Sequence, residues 1–140
     1  MRALTVKQPW AAAIAHGPKR TENRARPIPA KHLGTTILIH AGLAGDPAPG
    51  TGDQGPRILA TWPRHWGAIV AVADLASCHR DDGCCRPWGF PGTWHWQLGN
   101  VRVVPHPILG VRGQLGLWTV PADVLAAVQR QVHVPQEAAS

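Results

Sequence analysis

The chain has 140 residues, enough for one domain with its own core, and carries 14 Lys/Arg against 8 Asp/Glu, a formal net charge of +6. No apolar run approaches the roughly 18 residues of a membrane span. The start, Met1-Arg2-Ala3-Leu4-Thr5-Val6-Lys7, lacks the apolar stretch of a secretion signal, so a cytoplasmic protein without a membrane partner is expected.

In chain order, Ala3–Lys7 reads as a strand and Pro9–His16 as a short helix. Pro9 suits a first helical turn, where its missing N–H costs nothing. Trp10, Ala13 and Ile14 recur at helical spacing on one face, and Gly17-Pro18 stops the helix. Thr35–His40, β-branched and apolar, predicts a buried strand. Residues 42–56, with five Gly and three Pro, predict a loop. Arg57–Trp66 is patterned as a helix with Leu59, Trp62 and Trp66 on one side. Gly67–Cys78 predicts a long strand, residues 79–93 an irregular polar loop, and Thr93–Val104 a strand pair or one bent strand. Leu109–Val120 predicts a further strand and Pro121–Val132 a closing helix. Residues 1–132 then form a single domain, and 133–140 a flexible tail. Strands outnumber helices and are interrupted irregularly, which predicts a mainly β, α+β fold. We expect a small β-barrel with short helices covering its ends, not a doubly wound parallel sheet.

The positive charge is unevenly placed. Residues 1–31 hold seven Lys/Arg against one acid, Glu22, whereas residues 32–140 hold seven of each sign. Phosphate is the natural counter-partner of such a segment, although a solvated basic face would look the same. Glu22 and Arg24, two apart, share a face of an extended chain. A carboxylate among Lys19, Arg20, Arg24 and Arg26 stays ionised and orients the cations around it, either as a ligand site or as a salt-bridge network. Gln8 has an amide able to donate to and accept from a base edge. Trp10 is either a staple for the helix or a stacking face beside Lys7. In Trp94-His95-Trp96 both indoles face one side of a strand and His95 the other. His40 and His95 each sit in apolar strands, as satisfied core groups or as site residues. Cys78, Cys84 and Cys85 crowd into eight residues with His79, Asp81 and Asp82. The spacing matches no familiar zinc knuckle, and adjacent cysteines do not easily share a metal. The segment therefore reads as a loop with free thiols, with no metal and no cofactor expected.

Lys7-Gln8-Pro9-Trp10-Ala11 followed by Gly17-Pro18-Lys19-Arg20-Thr21-Glu22-Asn23-Arg24 resembles the signature of the ASCH domains. That signature is a strand, [Arg/Lys]-Gln-Pro-[Trp/Tyr]-Ala, a short helix, and Gly-x-Lys-x-x-Glu-x-Arg. Trp94-His95-Trp96 and Gly113-Gln114-Leu115-Gly116-Leu117-Trp118 are similar to the family's late strands. The resemblance implies a PUA-like barrel and nucleic-acid binding in a basic cleft. Lys7, Gln8, Trp10, Lys19, Glu22, Arg24, His40 and His95 are the candidate binding residues, with Arg20 and Arg26 on phosphates. Single-stranded RNA is the favoured partner, since a narrow aromatic cleft suits splayed bases. Duplex DNA through backbone contacts, or a nucleoside-like ligand, are the alternatives. The resemblance also implies an enzymatic alternative, an N4-acetylcytidine-type amidohydrolase or a metal-independent ribonuclease, with Lys19 and Glu22 catalytic. Lys19 matches the lysine of the amidohydrolase subfamily's Lys–Thr–Glu set. Its Thr position is Glu22 here, and Thr21 lies one residue early.

Overall fold

A computed structural model describes residues 1–46 and 62–136. The elements are β1 (Arg2–Gln8), α1 (Trp10–His16), β2 (Thr21–Arg24), β3 (Thr36–Gly45), β4 (Ala68–Arg80), β5 (Trp94–Ile108), β6 (Leu117–Thr119) and α2 (Ala122–Gln129). The strands form one six-stranded sheet in the order β2-β5-β4-β3-β1-β6, curled into a half-barrel. β1 and β3 run parallel, and every other pairing is antiparallel. This is the expected mainly β, α+β class.

Alternation along the strands divides the core between the two faces of the sheet. Leu4, Val6, Ile37, Ile39, Leu75, Trp96 and Leu98 pack with Trp10, Ala11 and Ile14 of α1. Ala3, Leu38, Val72 and Trp118 pack on the other side with Val124 and Val128 of α2. The central strands are thus covered on both faces, which explains their nearly unbroken apolar runs. Full burial of a side chain such as Ile14 contributes about 1.5–3 kcal/mol. α1 ends at Gly17, whose backbone is extended (φ −117°), so no left-handed turn is involved. What requires glycine there is space, because a Cβ would lie 2.6 Å from the Trp62 ring.

Several elements differ from expectation. Residues 42–45, expected as loop, continue β3, because the end of β1 pairs with them and Gln8 stands opposite Gly45. Most of the remaining loop, 47–56, lies outside the described residues, as does the first half of the expected 57–66 helix. Its second half, 62–66, is irregular. Pro63 accounts for this, since it lacks an N–H and disfavours helix at Trp62 before it. β5 is one long strand whose register with β4 shifts three times, with Asn100 left-handed at φ 47°. The expected 109–120 strand is reduced to β6, because Gly110 and Gly116 turn the chain at φ 68° and 65°. The C-terminal segment is anchored at its start: Val134 is buried, and the His133 carbonyl accepts a 2.8 Å hydrogen bond from Arg102. Residues 137–140 lie outside the described region.

Candidate functional site

Where β1, α1 and β2 converge, the sheet opens into a cleft of about 560 Å³. Thr5 and Lys7 come from β1, Trp10 from the start of α1, Lys19 from the turn after it, and Glu22 and Arg24 from β2. Phe90 and Leu115 close it from two loops. The short helix and its tight stop fold Lys19 back beneath Trp10, and pairing of β2 with β5 fixes which faces Glu22 and Arg24 present.

Lys19 is only 1% exposed. Its Nζ donates to the Thr21 carbonyl and lies 5.2 Å from the Trp10 ring centroid and 5.8 Å from that of Trp88. It forms no ion pair among the described residues. Burial lowers its pKa below the ordinary lysine value. Glu22 opposes that shift by attraction, and Arg24 adds to it by repulsion. Glu22 accepts from Arg24 Nε at 3.0 Å and Nη2 at 2.7 Å, and Nη2 also reaches the Thr5 carbonyl at 2.8 Å. Trp10 is held by a 3.0 Å bond from Nε1 to Asp46 Oδ2 and by edge contacts to Trp88 and Phe90.

The other candidates are placed differently. Lys7 is exposed on the cleft lining. Gln8 turns inward: its amide donates to the His65 carbonyl at 2.8 Å and accepts from the Ala12 N–H at 3.0 Å, satisfying the first turn of α1. Arg20 caps the other end of α1 through the carbonyls of Ile14, Gly17 and Lys19. Arg26 is exposed outside the cleft, and its carbonyl accepts from Trp96 Nε1 at 2.9 Å. His40 is buried between Thr5 and Val111, and burial lowers its pKa against the opposing bond to the Val111 carbonyl. His95 is fully buried on the side of β5 opposite Trp96. Trp94 and Trp96 both pack in the core, as strand alternation requires.

Sequence reasoning missed the loop wall. Asn23 Oδ1 accepts from the Phe90 N–H at 2.7 Å and the Thr93 hydroxyl at 3.0 Å, while its Nδ2 donates to the Trp88 carbonyl at 2.9 Å. One β2 side chain thereby anchors the loop segment that carries Trp88 and Phe90. Leu43 and Leu115, 82% and 98% exposed, belong to the same cleft lining. Their available signal was a large apolar residue set among glycines, too common to single out. A larger hollow of about 680 Å³ lies between Arg2, Lys31 and Gln136, but none of the buried polar side chains lines it.

No protein-family profile and no curated protein matches the chain. No helix among the described residues is long and apolar enough to cross a membrane. By its own geometry the site is a small, aromatic-walled cleft with a buried amine at its base and an oriented carboxylate–guanidinium pair beside it. Such a cleft can hold a flat polar ring and either donate a hydrogen bond to it or take a proton from it.

Proposed function

We propose that this is a cytoplasmic protein of the ASCH group whose cleft takes up one unpaired base of a nucleic acid, single-stranded RNA foremost, or the corresponding nucleoside. The observation that carries the reading is the convergence of Lys19, Glu22 and Arg24 on one aromatic-walled cleft. Its volume falls in the ~300–1,000 Å³ range of small-ligand sites, which suits a single splayed base and not a duplex. Trp10 and Phe90 offer apolar surface to a base, Arg24 and Glu22 offer paired donors and acceptors to its edge, and Lys7 meets the flanking phosphate. Arg26, exposed beyond the cleft, extends the basic track.

A second reading, hydrolysis of an acylated nucleoside or of RNA, is favoured by one observation. Burial of Lys19, with no ion pair among the described residues, lowers its proton affinity, as a general base or nucleophile requires. Glu22, held by Arg24, then serves as the proton carrier.

Tryptophan fluorescence of the wild type and of Lys19→Met, titrated with single-stranded RNA, duplex DNA and nucleosides at two salt concentrations, tests both readings. Saturable quenching by single-stranded RNA is expected, weakening log-linearly with salt. Lys19→Met should weaken it by roughly 10–100-fold, the loss of one hydrogen bond from a charged donor. Quenching by nucleosides alone, with turnover of N4-acetylcytidine that Lys19→Met abolishes, would establish the hydrolase instead. No response to any ligand would overturn both.

A further inference from the structure

The loop that supplies Phe90 to the cleft carries a second constellation. In the register of β4 and β5, His79 stands opposite His95, and Asn23 of β2 stands on the other side of His95. The loop folds over the face these three share. The two imidazole centroids are 5.3 Å apart. Cys84 Sγ lies 3.0 Å from His79 Nε2 and 3.9 Å from His95 Nδ1. Cys85 Sγ lies 2.6 Å from Cys84 Sγ and 3.6 Å from His79 Nε2. All four ligand atoms fall within 4.8 Å of one another.

The surroundings are arranged around these atoms. His95 Nε2 lies 3.0 Å from the Phe90 carbonyl, and donating there leaves Nδ1 as a lone pair aimed at Cys84. Asp81, paired with Arg86 at 3.0 Å, stands 3.6 Å from the same Nε2. This is the outer carboxylate or carbonyl partner that metal-ligating histidines ordinarily have. The Gln97 amide donates to Cys85 Sγ at 3.1 Å. Cys85 takes the left-handed conformation at φ 68°, uncommon for a residue with a Cβ, and both adjacent sulfurs face inward around it. Gly89 packs so closely that a Cβ there would meet His95 Cε1 at 2.6 Å and Cys85 Cβ at 2.8 Å.

We propose that His79, Cys84, Cys85 and His95 bind one Zn²⁺ in a tetrahedral His₂Cys₂ site. Zinc–sulfur bonds of about 2.3 Å and zinc–nitrogen bonds of about 2.0–2.1 Å give tetrahedral edges of about 3.3–3.8 Å. The nitrogen–sulfur separations of 3.0, 3.6 and 3.9 Å straddle that range, the two sulfurs must part by about 1 Å, and the remaining pairs, all within 4.8 Å, must adjust by a comparable amount. Binding releases one proton from each thiol to solvent. Two thiolates then cancel the charge of the ion, so a neutral centre sits against the wholly buried His95. Four protein ligands leave no open position, so the zinc is structural. It ties the loop, and with it the Phe90 wall of the cleft, to β4 and β5.

The test is titration of the full chain, chelator-stripped and kept under reductant, with Co²⁺ and then Zn²⁺. One equivalent of Co²⁺ should give a thiolate charge-transfer band and tetrahedral d–d bands, both bleached by one equivalent of Zn²⁺, with Tm raised by the metal. Cys84→Ser and His79→Ala should weaken uptake by more than about 100-fold. Cys78→Ser should leave it unchanged, since Cys78 faces the core beside the Ile28 N–H. A wild type showing no tetrahedral bands overturns the proposal even where a variant misfolds. Bands that persist when Cys84 and Cys85 are both replaced by serine overturn it too. Loss of two hydrogens in air by a chain that takes up no metal under reductant would make the pair a disulfide instead.

Discussion

Arg24 grips the Glu22 carboxylate with two nitrogens on one oxygen, at 3.0 and 2.7 Å, and so fixes an acid whose charge acts on the buried Lys19. Charge-assisted bonds of this kind are short and directional, and the carboxylate side chain here is only 9% exposed. Glu22→Gln keeps the shape and removes the charge. Two effects follow. Arg24, still bonded to the Thr5 carbonyl, loses its counter-charge. Lys19 loses the attraction that opposes its desolvation, so its pKa falls further. We expect a stability loss of about 1–3 kcal/mol in urea denaturation, together with weaker quenching by RNA at neutral pH. Unchanged stability would mean that the pair contributes no more than an exposed one.

Lys19 gives a pH dependence whose sign is fixed. Its folded pKa lies below the ordinary 10.5 it has when unfolded. Between the two values the unfolded chain holds more protons, so stability rises with pH across that window. Below the folded pKa the amine is charged in both states and the full desolvation cost is present. Lys19→Met removes the titration while nearly conserving volume. It should therefore be the more stable protein at pH 7, with its advantage shrinking as pH approaches 10. Urea midpoints at the two pH values measure this, and an advantage that grows with pH would contradict the assignment.

Glu22 and Arg24 were readable because residues two apart share a face of a strand, and the two side chains do meet there. The burial of Lys19 was not, since it depends on Trp10 from the preceding helix and on Trp88 from a loop far along the chain. Arg20, adjacent and of like charge, satisfies the carbonyls that end α1 instead, a role its position after a helix stop allowed. The strands of the barrel were visible as β-branched apolar runs, but the extension of β3 through Gly45 came from pairing with β1, against local composition. His95 was singled out for the cleft. Its neighbour across the sheet, His79, depends on the β4–β5 register, which no short-range pattern encodes. The same register brings the cysteines within reach of two imidazoles.

His40 is the last of the buried titratable groups, and its hydrogen bonds run in one direction. Trp118 Nε1 donates to Thr5 Oγ1 at 3.0 Å. That hydroxyl lies 3.1 Å from His40 Nδ1, and His40 Nε2 lies 2.7 Å from the Val111 carbonyl. With the indole as the fixed donor and the carbonyl as the fixed acceptor, the hydroxyl donates to Nδ1 and Nε2–H donates to Val111. In this neutral imidazole a second proton on Nδ1 would displace the bond from the Thr5 hydroxyl. Burial lowers its pKa below 6.5, with the Val111 bond opposing, and His16 is shifted in the same direction by its own burial. A base with a depressed folded pKa leaves full stability above pH 6.5 and withdraws it as pH falls through the folded value. Thermal unfolding should therefore show a Tm that declines as pH falls below 6.5. His40→Gln, which cannot titrate, should flatten that decline to the part due to His16, at the cost of a lower Tm throughout. An equally steep decline in the variant would place the acid sensitivity elsewhere.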